Sequence, residues 1–140
     1  MPRLVLVRRF AIFALLIAFF LPLSKCSQTA ADGTITVDYE YPVENIVAGT
    51  QTLLSKEPTD YDDIVLALLT LAVFFLPAAI AVVKTRTQSI VHLVLTSPAE
   101  WLLYSLSTVG DPQAGGIIAM SAWGVLFFAG VIDLLSRDTT

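Results

Sequence analysis

Residues 64–83 run for twenty positions without a charged side chain. A helix over that run is about 30 Å long at 1.5 Å per residue, the thickness of a bilayer's hydrocarbon core. Asp60, Asp62 and Asp63 precede it, and Lys84 and Arg86 follow it. Basic flanks tend to stay cytoplasmic, so the segment reads as running from outside to inside. Composition agrees: 56% of the 140 residues are hydrophobic and 14% charged, against roughly 25% charged in an ordinary soluble domain. So little charge cannot cover a soluble surface, which excludes both a typical cytosolic enzyme and a disordered chain. A net charge of −4 gives no general attraction for nucleic acid. One cysteine excludes an intramolecular disulfide framework and a multi-cysteine zinc site.

Charge divides the chain. Residues 27–63 hold eight of the twelve acids (Asp32, Asp38, Glu40, Glu44, Glu57, Asp60, Asp62, Asp63) and one base, Lys56. An acidic hydrophilic stretch between two apolar segments is readily translocated. Three regions follow: a signal-like N-terminal anchor over residues 1–26, an acidic extracytoplasmic segment over 27–63, and a membrane helical block over 64–140. The fold class expected is an all-α integral membrane protein, a small bundle of three to four transmembrane segments with a short acidic outer loop.

The first apolar run covers residues 10–23 and is preceded by Arg3, Arg8 and Arg9. Its fourteen residues match the apolar core of a signal peptide. Leu23-Ser24-Lys25-Cys26 resembles a bacterial lipobox, with Lys25 where a small residue is expected; Cys26 is thus a candidate for lipidation. Thr29-Ala30-Ala31 offers small residues for ordinary signal cleavage. The reading adopted is an uncleaved anchor with Cys26 an interfacial thiol.

Within the acidic segment, residues 34–41 (TITVDYEY) alternate as a strand does, with Ile35, Val37, Tyr39 and Tyr41 on one side. Nothing else in the chain alternates for as long, so the strand is expected to lack a partner. It either lies extended over the membrane block or adds to another protein's sheet edge. Pro42 ends it, and residues 43–54 suit a short helix with Val43, Ile46, Val47, Leu53 and Leu54 as its apolar set. Tyr39, Tyr41 and Tyr61 suit an interfacial belt.

Residues 115–135 form a second clear span. Gly115, Ala119, Ala122 and Ala129 descend one face in steps of three and four, with Leu126 between them, and Asp133 continues it. Small residues admit a close helix neighbour, so this face is expected to pack on protein. Asp133 then either reaches the interface or meets a cation, Lys84 or Arg86 being the expected partners. In the first span, Pro77 predicts a bend.

Between these spans, residues 90–109 are apolar on average but carry His92, Pro98 and Glu100. Ser97-Pro98-Ala99-Glu100 has the signature of a helix start, which predicts a break near Ser97-Pro98. If the segment crosses, six of the eight bases face the cytoplasm, with Lys25 and Lys56 outside. A kinked crossing is preferred, and a re-entrant or interfacial hairpin is the alternative.

No nucleophile triad, phosphate loop, paired-histidine metal motif or complete calcium loop is present in the sequence. Neither catalysis nor a cofactor is expected. The costly residues are Glu100, His92 and Asp133; an acid near mid-membrane costs about 3 kcal/mol on insertion scales. Two functions stand: a non-enzymatic accessory or scaffold subunit in a bacterial inner membrane, contacting lipids and other membrane proteins, or a self-assembling proton or small-ion path using Glu100.

Overall fold

The computed structural model describes residues 2–30, 32–55, 61–82, 85–108 and 110–136, with side chains at all of these except 2, 85, 86, 107 and 108. Five helices and a three-stranded sheet follow in the order α1 (Pro2–Ala18), β1 (Ser24–Thr29), β2 (Ile35–Glu40), α2 (Pro42–Leu54), α3 (Tyr61–Ile80), α4 (Thr85–Thr108), β3 (Asp111–Pro112) and α5 (Ala114–Leu135). The chain is mostly helical, at 75%. Among the described residues two helices, α3 and α5, are long and apolar enough to cross a membrane.

The all-α expectation is corrected by the sheet. β1 lies between β2 and β3 and is antiparallel to both. The strand expected to lack a partner therefore has one: Ile35 pairs with Thr29 and Glu40 with Ser24. Sequence patterning misses β1 because Ser24–Thr29 reads SKCSQT, with no apolar alternation. Its pairing is carried by backbone hydrogen bonds and by the turn, where Gly33 adopts φ 83°. In that turn the Thr34 N–H donates to the Asp32 carboxylate at 2.9 Å, holding this exposed acid below the usual aspartate value.

The central helix is α5, which packs on α1 and on α4. Gly115, Ala119, Ala122, Leu126, Ala129 and Asp133 are all buried, so the small-residue face is turned inward. At its first turn the approach is backbone to backbone: a Cβ on Gly115 would lie 2.6 Å from the Pro22 carbonyl oxygen. The Gly115 N–H donates to that same oxygen at 3.0 Å, and the Gln113 N–H donates to Leu23 O at 2.9 Å. These bonds tie the end of α1 to the start of α5, so the two helices run antiparallel. On α1 the buried positions are Arg8, Ala11, Leu15 and Ala18, a helical stripe that starts on a charged residue.

The break expected near Ser97-Pro98 is absent: α4 is one helix of 24 residues with Pro98 inside it. Pro98 removes one ladder hydrogen bond, but its ring lies on an exposed part of the surface, where its bulk meets little packing. Favourable start chemistry at Ser97 is thus overridden by the continuous inner face of α4, in which Ser89, His92, Thr96, Ala99 and Leu103 are all buried against the rest of the fold. Pro77 is likewise accommodated inside α3, buried.

α2 begins at Pro42, one residue before its expected start. Its expected apolar set is corrected, because Val43, Val47, Leu53 and Leu54 are exposed and only Ile46 packs against the core. The contact face is Pro42, Ile46 and Gly49 instead. A Cβ on Gly49 would meet the Ala67 Cβ at 2.5 Å and the Asp63 carbonyl at 2.7 Å, so the glycine sets how closely α2 lies on α3. Phe19, the residue after α1, joins α3 through edge-on contacts with Phe74 and Phe75.

Candidate functional site

Polar side chains gather at two levels of the helical block. The first lies at the end remote from the sheet, where α1, α4 and α5 meet. Arg8 Nη2 donates to Ser89 Oγ at 2.7 Å and to the Ala129 carbonyl at 3.0 Å. Ser89 Oγ in turn donates to Asp133 Oδ2 at 2.7 Å. The guanidinium and the carboxylate are 3.6 Å apart, with side chains 5% and 3% exposed. Each helix supplies one group, so the hydroxyl of Ser89 sits between cation and anion as acceptor from one and donor to the other. Charges this deeply removed from water persist only when paired and hydrogen-bonded.

Asp133 meets a cation in Arg8, a partner not expected from the sequence, while its expected pairing with Lys84 or Arg86 falls on side chains that lie outside the described residues. Sequence reasoning treats Arg8 as a basic flank of the first apolar run, yet α1 begins at Pro2 and carries Arg8 inside it. The spacing of Arg8 to Ala11 and Leu15, three and seven residues, was the signal that it lies on the buried stripe. Ser89 was missed for a similar reason, although Ser89, His92 and Thr96 recur at three and four residues.

His92 is one helical turn from Ser89 and is 1% exposed, with neither ring nitrogen hydrogen-bonded. Its ring stands edge-on to Trp123 of α5, with centroids 6.4 Å apart. Thr96 Oγ1 donates to the His92 carbonyl at 2.6 Å. His92 and Asp133 are therefore interior residues of the bundle.

Glu100 sits apart from this cluster. It lines an outward-facing groove between α4 and α5 with Ser97, Tyr104, Met120, Gly124 and Phe128 among its walls. Glu100 Oε1 is 3.8 Å from where a Cβ on Gly124 would stand. Gly124 is the eleventh residue of the 22-residue α5, so the carboxylate is level with the middle of that helix. Among the described residues its side chain makes no ion pair or hydrogen bond. A carboxylate there can accept from a donor brought by another molecule, whereas Asp133 is already paired with Arg8 and Ser89.

Cys26 lies in the central strand, half-buried, in register with Asp38. Gly110 closes over it, as a Cβ there would meet the Lys25 carbonyl and, at 3.0 Å, the Cys26 sulfur. Ala31 of the candidate cleavage site lies outside the described residues. Among the described residues no group of three or more His, Cys, Asp or Glu is placed to hold a metal ion. Comparison with protein-family models, curated proteins and solved structures gives no match to this chain.

Proposed function

We propose that this chain is a small, non-enzymatic, multi-pass protein of a bacterial inner membrane that acts as an accessory or scaffold subunit for other membrane proteins. The membrane reading is supported by how little apolar surface the fold hides. The most apolar windows of α3 and α5 are only 28% and 39% buried, whereas a core helix of a soluble protein is mostly buried. Large apolar side chains such as Phe10, Leu68, Trp101 and Phe128 are more than 60% exposed and suit lipid or another helix.

With α1 and α4 lying beside α5, the chain makes four passes, with the sheet at the outer end. Arg3, Arg8 and Arg9 fall at the opposite, cytoplasmic end, as the positive-inside tendency requires. The first helix is retained in this arrangement, because it supplies the cation that neutralises Asp133.

Glu100 carries the functional reading. It is level with the middle of α5, it faces outward, and it has no partner among the described residues. An acid held at that level costs about 3 kcal/mol in lipid, which a donor on a second protein offsets. An ion path within a single copy would instead gather its polar groups around an interior channel. Here Arg8, Ser89 and Asp133 bind one another at one end, while Ser24 in the sheet, Thr70 in α3 and His92 in α4 are buried at separate places.

A tagged purification from native membranes in mild detergent, followed by mass spectrometry, tests the proposal. A different membrane protein in fixed stoichiometry is expected. Recovery of the chain alone, or only with copies of itself, contradicts the subunit role and favours the self-assembled ion path.

A further inference from the structure

The groove at Glu100 also has a shape and a charge. Leu93, Ser97 and Tyr104 line it from α4 together with Glu100, at spacings of three and four residues, and Met120, Gly124 and Phe128 line it from α5 at intervals of four. Two such rows on adjacent helices make a trough of the kind that receives the side-chain ridge of a third helix. From Leu93 to Tyr104 the trough is about 16 Å long, three turns at 1.5 Å per residue. Tyr104 and Phe128 stand 62% and 65% exposed on its rims, and Gly124, lacking a side chain, leaves the approach to the carboxylate open.

We infer that this groove seats a transmembrane helix of the partner subunit that carries a lysine or arginine near its own midpoint, its cation meeting the Glu100 carboxylate. The inference rests on the accessory-subunit reading and names the chemistry of that partner. Charge complementarity selects this occupant. A lipid chain brings no donor to the middle of the bilayer, and an anionic headgroup is repelled by a carboxylate. A second copy brings no suitable cation either. Of the eight bases, Arg8 is buried against its own Asp133, and Lys25 lies in the sheet. Arg3 and Arg9 lie in the first half of α1, towards the end where Arg8 meets Asp133. In the sequence Lys56, Lys84 and Arg137 fall outside the residues of every helix, and Arg86 is the second residue of α4. A basic residue within a partner's apolar helix has the matching difficulty in lipid, and one ion pair relieves both.

The test places a photo-crosslinking amino acid at Ser97, an exposed groove position, in the full-length chain in its native membranes. The expected product joins Ser97 to an apolar segment of another protein containing a lysine or arginine. Glu100→Gln should lower the crosslink yield at least tenfold with the amount and thermal stability of the chain unchanged, and Glu100→Asp should retain most of it. Glu100→Lys should abolish the crosslink, and replacing the partner's base by glutamate should restore it in that background.

Crosslinking to a second copy, to lipid alone, or to a segment without a base overturns the inference, as does a yield unaffected by Glu100→Gln. If co-purification still recovers a stoichiometric partner while Ser97 crosslinks to none, the groove assignment falls and the subunit role stands. If neither experiment finds a partner, both fall.

Discussion

At the scale of single residues, stability of the helical block depends on keeping two buried charges together. Arg8 and Asp133 are joined through Ser89 Oγ, with donor–acceptor distances of 2.7 Å on either side. Removing one charge leaves the other buried without compensation, which typically costs about 3–5 kcal/mol. Arg8→Met and Asp133→Leu should each therefore lower the thermal stability of the purified protein sharply. The double variant Arg8→Met, Asp133→Leu should recover most of the loss, because an apolar pair of similar volume avoids the desolvation cost. Thermal unfolding of the four members of the cycle in one detergent checks this, and additive losses would contradict it. The sequence made Asp133 legible as a residue needing a cation, since it continues a small-residue face. Its partner was not legible, because pairing of Arg8 with Asp133 spans most of the chain and sequence proximity favours Lys84 or Arg86.

Among the elements, those with strong periodic signals are legible and those held by backbone contacts are not. The charge-free run of residues 64–83 and the small-residue run of 115–135 correspond to α3 and α5, displaced by at most three residues at an end. β1 escapes sequence reading because SKCSQT has no apolar face, and its position in the sheet is fixed by the hairpin turn and by β3. Gly49 looks like a weakness in α2 until its contact with Ala67 and Asp63 is seen. The clearest conflict between local signal and fold is at Ser97-Pro98, where a helix-start signature sits inside a continuous helix. Pro98→Ala restores a backbone donor and is expected to raise thermal stability, by up to about 3 kcal/mol, the usual cost of proline within a helix. Were Ser97 the N-cap of a separate helix, Ser97→Ala would destabilise by about 1 kcal/mol and Pro98→Ala would give no gain. Circular dichroism melts of the two variants separate the cases.

For the whole molecule, α5 is the axis on which α1 and α4 are hung in opposite directions to it. The acidic sheet lies at one end and the Arg8–Asp133 pair at the other. This polarity gives the proposed four-pass arrangement a definite geometry: the turn at Gly33 and the connection at Gln113 share one side, and the end of α5 faces the opposite side. In the proposed arrangement it also divides these acids by role, with Asp133 paired inside the bundle and Glu100 left on its outer surface to engage a partner. Labelling with a membrane-impermeant thiol reagent, in a Cys26→Ser background, tests this arrangement most directly. Single cysteines at Gly33, Gln113 and Ser136 would be probed in intact cells and after permeabilisation. The account predicts that positions 33 and 113 label in intact cells and that position 136 labels only once the membrane is opened. Labelling of 113 and 136 from the same side would contradict it, since α5 would then not cross.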